Sequence, residues 1–567
     1  MLSKYPVIAI ILLLTVFGVI YILTIPANHT EAEDSLSILN DIRSVDVEKL
    51  FHPHHLLYAP VGYTAHHLAQ SAGINTNLQL TMQAVNIFAG LFVLLMVYLI
   101  AGKLNMAPYL RAIAVFITAF SYSFWRYSNE CETYIIPLVF IMLVIAGVIR
   151  MFEKGHSYGR AFWLGIGTAF AVLFHQQHIV FIIPLTIAFL ISSFDSERKY
   201  STGIIIKNYL LCLLTFVFVL TFAYSLVGFI VLGKGNFTEL RQWFTGYAYG
   251  GVWGAWSFYS IPKAVIGLGR SFIGGHFIFA LAPAREFIQS TMPDYVLREE
   301  VFLVRDFSGF KSWLLIISTF AFVLSAAFMF FRAVWHRFSR AEIELYDDNR
   351  PDMRYLVFLY CILIVYAAFN IWWEPQNIEF WIAVMPALGL LFCYFIGPVL
   401  NFRFYRNVAV VFMALLFAIN LFGSIAPQKT EDNDYWRDYN SWYLQHCRKG
   451  DLIFAGDGHL SDSYIEYYTG AEAISLLPVK WHYESLTQVY NSFDSVLTAV
   501  NPRRVFISST MLEPNPELVK RYELDMSFSR HLFETLLPRL DIIYTDDNYS
   551  VYKLLNLSDY KDRIGLK

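Results

Sequence analysis

Five groups of polar side chains, far apart in the chain, carry the residue types that proton transfer and anion recognition need. They are the acidic run Glu31-Ala32-Glu33-Asp34, the cluster His52-Pro53-His54-His55, the pair Glu130 and Glu132, the pair His175 and His178, and the segment Trp373-Glu374-Pro375-Gln376. A carboxylate at a surface can take the proton of an attacking hydroxyl. Histidines can orient such an acid, move a proton or ligate a metal. Arg126 and Arg270 can hold an anion, and Arg270 stands in a Gly-rich apolar stretch where a charge needs a partner. Each group lies at the end of an apolar run, and polar residues kept at membrane depth are costly and by default functional.

The elements that must position these groups are membrane spans. Of the 567 residues, 56% are hydrophobic and only 15% charged, against roughly 25% charged in a soluble chain. The net charge of −3 implies no nucleic-acid partner. Apolar stretches of spanning length read at 5–25, 84–102, 108–126, 133–151, 160–174, 177–195, 203–232, 311–334, 354–372, 378–397 and 405–424, about eleven in all. The first is read as a retained helix, because no small-x-small cleavage site closes it. The loops rich in Lys and Arg, which hold Lys103 and Arg111, Arg150, Lys154 and Arg160, and Arg198, Lys199 and Lys207, fall on the side of Lys4. The positive-inside rule then puts that side in the cytoplasm and all five polar groups outside. This holds if two stretches, 55–70 and 263–283, lie at the interface or re-enter without crossing.

The expected fold is an all-α polytopic bundle over residues 1–427, with a first outer loop at 27–83 and a large outer loop at 233–310. A C-terminal, extracytoplasmic α/β domain follows over 428–567. Strands are expected at Asp451–Ala455, Arg504–Ser508 and Ile542–Tyr544, with helical patterns around 462–468 and 485–500 and a hairpin turn at Asp546-Asp547-Asn548. The five cysteines have no metal or redox spacing, and the outer Cys131 and Cys447 allow a disulfide.

Asp34-Ser35-Leu36-Ser37, His52-Pro53-His54-His55-Leu56-Leu57-Tyr58, Asn86, Ser123-Phe124-Trp125-Arg126 with Glu130-Cys131-Glu132-Thr133-Tyr134, and Trp243-Phe244-Thr245-Gly246-Tyr247 follow one another in an order with a known parallel. That order resembles the C-type (GT-C) superfamily of polytopic glycosyltransferases, in its protein O-mannosyltransferase-like branch. The resemblance covers residues 1–260 best and implies a hexosyltransferase type of enzyme. Its donor would be a polyprenyl-phosphate-linked sugar, met from the lipid bilayer. Its acceptor would be a hydroxyl on a protein, lipid or glycan at the extracytoplasmic face, glycosylated with inversion. It implies Asp34 as general base. Where that branch often has a second acid three residues after the Asp, this chain has Ser37. An assisting acid must then be Glu31, Glu33 or a residue from another loop such as Glu132.

Beside these roles stand plainer ones. The acidic run also suits the N-terminal turn of a helix beginning at Ser35, where negative charge is favoured. His175-Gln176-Gln177-His178 is also an ordinary polar turn between two spans. His52, His54, His55, His175, His178, Glu130 and Glu132 suit a divalent metal, although neutral histidines that orient the acids or the donor phosphate are the preferred reading. Glu374 and Gln376 suit the donor side of the site. Two other classes remain: a transporter or lipid carrier, which also places acids and histidines along a pathway, and a membrane-anchored scaffold or sensor, in which the outer acids are dispensable.

Overall fold

The computed structural model describes residues 6–194, 201–245, 254, 256–291, 297–338, 352–475, 486–513, 519, 526–555 and 557. Seven helical segments are long and apolar enough to cross a membrane: Leu78–Lys103, Ile135–Lys154, Thr202–Val231, Gly309–His336, Met353–Trp373, Ile378–Ile396 and Arg403–Ile425. Four shorter apolar helices, Ile10–Leu23, Pro108–Phe120, Tyr158–Phe174 and Gln176–Ile191, complete the bundle. Each expected stretch therefore meets one helix, and the chain is a multi-pass membrane protein. The spans begin on local signals. Asn77, Ser157 and Asp352 each accept a hydrogen bond from a backbone N–H in the first turn of their helices. Pro108 opens another at a position that needs no N–H donor.

Three segments are not simple spans. The stretch 108–126 is not one span. Ser121 is extended at φ −62°, ψ 137°, and splits it into Pro108–Phe120 and a second helix, Tyr122–Ser128, every residue of which is buried. The stretch 263–283 is also broken. Helix Ser260–Phe272 ends, the chain turns at Gly274-Gly275, and a 3-10 turn His276–Ala280 follows. Gly275 has φ +74°, which favours glycine, and a Cβ on Gly274 would lie 2.4 Å from the Ser424 hydroxyl. That hydroxyl sits in a π-helical turn, Leu421–Ile425, at the end of a span. The stretch 55–70 forms helix Tyr58–Ser71, which belongs to neither set of apolar helices. Of the Trp243–Tyr247 motif, Gly246 and Tyr247 lie outside the described residues.

The C-terminal residues form a five-stranded sheet of order β2-β1-β3-β5-β4. β1 (Asp451–Phe454) lies between β2 (Glu472–Ile474) and β3 (Arg504–Ser508), both parallel to it. β4 (Leu540–Thr545) and β5 (Ser550–Leu554) form the expected hairpin, and β5 pairs antiparallel with β3. β2 is a strand the pattern did not mark. Side chains alternate across the sheet: Leu452 and Phe454 pack with Phe493 and Leu497, whereas Ile453 and Phe506 pack with Trp442, Tyr443 and Tyr464. Cys131 and Cys447 are both free thiols, so the disulfide is not formed.

One helix of this unit, His459–Thr469, lies along the first outer helix, Ser35–Ser44. Asn40 Nδ2 donates to the Ser463 carbonyl at 3.1 Å, and Arg43 Nη1 donates to the Tyr467 carbonyl at 3.0 Å. His459 Nε2 stands 4.0 Å from Asp34 Oδ1. Residues 459, 463 and 467 share one helix face, so the contact is a continuous seam. The orientation read from the loops can be tested by cysteine labelling. In intact cells an impermeant reagent should reach a cysteine at exposed Ser495, and should reach one at exposed Ser157 only after permeabilisation; the reverse pattern overturns the orientation.

Candidate active site

The site is organised by residues 24–35, the segment that leaves the first helix. Asp434, fully buried, fixes its middle: it accepts from the His29 N–H at 2.9 Å and the Thr30 hydroxyl at 2.9 Å, and also from the Tyr464 hydroxyl at 2.6 Å. Two residues on, the Glu31 carboxylate gathers four partners from three distant regions. Arg270 Nη2 lies 3.2 Å and His276 Nε2 3.1 Å from Oε1, while Gln428 Nε2 donates to Oε2 at 3.0 Å and the Tyr122 hydroxyl also donates to Oε2. Burial alone would raise the Glu31 pKa, but the charges of His276 and Arg270 and the hydrogen bonds outweigh it, and the net shift is downward. Arg270 is also held by Glu300 at 3.7 Å.

A second carboxylate, Glu130, is wholly enclosed. It pairs with Arg126 Nη1 at 2.7 Å, with His29 Nδ1 at 3.0 Å and with the Ser35 hydroxyl at 2.8 Å. Burial again opposes its ionisation, and His29 and Arg126 overcome it, so its pKa is lowered. Arg126 Nη2 donates to the Asn28 carbonyl at 3.0 Å. The turn 130–132 is pinned from below by Asn86, whose Nδ2 donates to the carbonyls of Glu130 and Glu132 at 2.5 and 2.8 Å.

A third pair of acids behaves oppositely. Glu132 is pushed well above the usual carboxylate range by burial first, then by the negative charges of Glu379, Asp34 and Glu130. Its Oε1 accepts the Asp34 backbone N–H at 3.0 Å, and its Oε2 has no partner among the described residues. Glu379 receives the hydroxyls of Tyr127 and Tyr134, each at 2.9 Å. Asp34 itself is different again. It occupies the N-cap of helix Ser35–Ser44 without capping it, and its carboxylate is 49% exposed and accepts no hydrogen bond among the described residues. Its main chain is fixed, and its side chain has His459 at 4.0 Å as an ion-pair partner but accepts no hydrogen bond among the described residues.

The histidines line the other side of Asp34. His52 and His55 stack with ring centres 4.4 Å apart, and His54 lies edge-on to His52 at 5.3 Å. His175 packs on Tyr134 at 4.8 Å. Burial lowers the pKa of all four, with the mutual repulsion of the rings adding to it for His52, His55 and His175; for His54 the Asp34 charge opposes the shift. His55 is brought down to about 3. They are therefore neutral hydrogen-bonding groups. His52 and His175 each accept a backbone N–H at Nδ1, so their protons sit on Nε2. His178 is tied to the Tyr366 hydroxyl at 2.7 Å. Among the described residues no three His, Cys, Asp or Glu side chains stand where one metal ion would hold them.

The structure thus brings Glu33, Asp34, Glu130, Glu132, Arg126, Arg270 and the histidines to one end of the bundle. The contacts define the settings of four expected residues. Arg126 is paired with Glu130, four residues on. Glu130 is enclosed by Arg126, His29 and Ser35. Glu374 and Gln376 stay at the rim, half-buried; Glu379 enters the site, because Asn377 caps a helix that starts at Ile378 and turns that side chain inward. Sequence reasoning also passed over His29, Tyr122, Tyr127, Gln428 and Asp434. The spacing Arg126-x-x-x-Glu130 was a usable signal for the ion pair; nothing local marks Gln428 or Asp434.

No protein-family model matches the sequence, and no curated protein matches it. Among solved structures, the chain is similar to the crystal structure of ArnT from Cupriavidus metallidurans bound to undecaprenyl phosphate, with TM-score 0.53, 12% identity, and 96% of this chain and 98% of that one covered. The apo crystal structure of the same protein matches with TM-score 0.54 and 12% identity, over 96% and 97% of the two chains. The chain has the fold of these structures.

Two measurements check the electrostatics. Arg126→Ala leaves Glu130 buried beside His29 alone, and should cost about 3–5 kcal/mol of stability; an unchanged melting temperature would refute the pair as a structural element. Glu299, bonded to Trp436 Nε1 at 2.9 Å, is pushed up to about 8 by burial, with Glu300 and Glu33 adding to it and Arg298 opposing. A raised carboxyl contributes stability below its unfolded pKa and loses it as pH rises through the folded value. Glu299→Gln should therefore raise the melting temperature more at pH 8 than at pH 5.

Proposed function

We propose that the protein is a membrane glycosyltransferase that moves a sugar from a polyprenyl-phosphate-linked donor to an acceptor hydroxyl on the extracytoplasmic face, with inversion. The observation that carries this reading is the contrast between Asp34 and its neighbours. Glu31 and Glu130 are engaged by cations, and Glu132 is held above the usual carboxylate range by burial. Asp34 alone combines a fixed backbone with carboxylate oxygens that accept from nothing in the described residues. A general base needs both properties. The likeness in fold to a protein crystallised with undecaprenyl phosphate supports the donor class. The gathering of polar groups at one end of the spans, and not along a path through them, supports a transferase over a carrier.

In the proposed step the acceptor oxygen attacks the anomeric carbon as its proton passes to Asp34 Oδ1 or Oδ2. The bond from that carbon to the phosphate oxygen breaks, and the lipid phosphate leaves with the electron pair. Attack from the face opposite the phosphate inverts the centre. Arg270 is the cation best placed to meet the leaving phosphate. It is 20% exposed, and Glu31 and Glu300 hold it in a fixed pose, which is the pre-organisation that stabilises developing charge. Glu31 is three residues from Asp34, so one segment carries both the cation's anchor and the base. Neutral Nε2–H groups of His52 and His175 are donors for sugar or phosphate oxygens. Residues 428–567 act as an extracytoplasmic roof over the acceptor side, with His459 at its lip. Glu33 stands at the same rim.

Purified protein incubated with polyprenyl-phosphate-linked sugars should release polyprenyl phosphate and glycosylate an acceptor. Asp34→Asn should lower turnover by about 10²–10⁴ and leave the melting temperature within about 1 °C, since its carboxylate accepts no hydrogen bond among the described residues and its ion pair with His459 is long and solvent-exposed. Normal turnover in Asp34→Asn would reject the assignment. Arg270→Gln should weaken donor binding and lower kcat, whereas Arg270→Lys should recover part of the binding.

A further inference from the structure

A cleft of about 350 Å³ opens at the other end of the bundle, between the last turns of helices Leu78–Lys103 and Ile135–Lys154. Both helices begin beside the candidate site and end here. The inner wall of the cleft is apolar, formed by Met96, Leu99 and Ile100 from one helix and Ala146 and Ile149 from the other. Its mouth is charged. Lys103 and Glu153 close on each other across the two helices at 2.9 Å and cancel. Arg150 and Lys154 also line the mouth, and neither has an ion-pair or hydrogen-bond partner among the described residues.

From this arrangement we propose that the cleft binds one anionic phospholipid, with its phosphate between Arg150 and Lys154 and the start of an acyl chain along the Met96–Ala146 wall. Two like charges one turn apart repel each other on a helix, and an anion between them removes the repulsion. The plain alternative is that two cations at a helix C-terminus merely favour the helix dipole. That account explains the charges but not the cleft they border. A soluble anion would use the mouth and leave the wall wet. A lipid uses both, because its headgroup and chain meet at the depth where the apolar wall gives way to the cations. The Lys/Arg distribution puts this end at the cytoplasmic leaflet, where basic pockets between spans meet anionic headgroups. The site lies at the opposite end of the spans from Asp34 and stands whether or not the protein transfers sugars.

The test is lipid titration of the delipidated full-length protein, read by native mass spectrometry. Wild type should retain one phosphatidylglycerol per chain in preference to phosphatidylcholine. Replacing both cations by glutamine (R150Q with K154Q) should weaken phosphatidylglycerol binding by about tenfold or more, and the charge-keeping pair R150K with K154R should restore it. Ala146→Phe, which narrows the wall without touching a charge, should weaken it as well. Wild-type affinity in the glutamine variant, equal binding of the two lipids, or full displacement by inorganic phosphate would each overturn the proposal. The last outcome would identify a small-anion site. Both cations are exposed, so the melting temperature of the delipidated variants should match that of wild type and separates lost binding from lost fold.

Discussion

A carboxylate withdrawn from water must be matched, and Glu31 is matched by four side chains that the chain brings from far apart. Tyr122 comes from the buried helix Tyr122–Ser128, Arg270 and His276 from helix Ser260–Phe272 and the turn after it, and Gln428 from the link that leaves the last span. None of these contacts is local, so each can form only when the whole bundle has closed. The arrangement explains features that look arbitrary in isolation. The break at Ser121 aims Tyr122 and Arg126 at the segment 24–35. The turn at Gly274-Gly275 brings His276 against Ser424, whose π-helical turn supplies the second hydrogen bond to its ring at 2.9 Å. Charge pairing in a buried setting gives little net stability but strongly penalises any structure in which a partner is missing. Here that penalty specifies which loops meet.

The C-terminal sheet belongs to the same constraint. Asp434 binds the segment that leaves the first helix through His29 and Thr30, and binds helix His459–Thr469 through Tyr464. The seam from His459 to Tyr467 continues the attachment along helix Ser35–Ser44. Asp34 sits at the start of that seam. An aspartate at an N-cap usually spends its carboxylate on the helix. Asp34 does not, because its φ/ψ of −94° and −9° are helical and carry the side chain away from the first-turn N–H groups. Glu132 instead takes the Asp34 N–H. The local rule is set aside where a free carboxylate is most useful, which is the kind of exception that functional sites produce.

The spans were legible because apolar length is a local property and needs no knowledge of neighbours. The acidic run, the histidines and Arg270 were legible as unusual residues at span ends. Which of them faces the site was less so. Glu379 displaced Glu374 and Gln376 because the phase of a short helix depends on its first residue, and Asn377 rather than Pro375 sets it. The pairing of Arg126 is legible in its spacing to Glu130, four residues on. Gln428 and Asp434 carry no sequence signal; they act through tertiary contacts more than 390 residues away in the chain. β2 escaped notice because three residues are too few to show alternation.

The remaining question is how one site holds so many carboxyl groups. The acids divide by what surrounds them. Glu31 and Glu130 meet cations and histidines and so remain ionised, and their charge is spent holding Arg270 and Arg126. Glu132 is pushed upward by burial and by the charges of Glu379, Asp34 and Glu130, which the Asp34 N–H hydrogen bond only partly opposes. Glu132 accepts the Asp34 N–H and so fixes the loop, and a raised pKa lessens the negative charge it adds there. The lowered pKa values of the histidines likewise leave those rings uncharged. The site is rich in acids by composition and far less negative in charge, and Asp34 is the acid at its rim whose carboxylate accepts no hydrogen bond among the described residues.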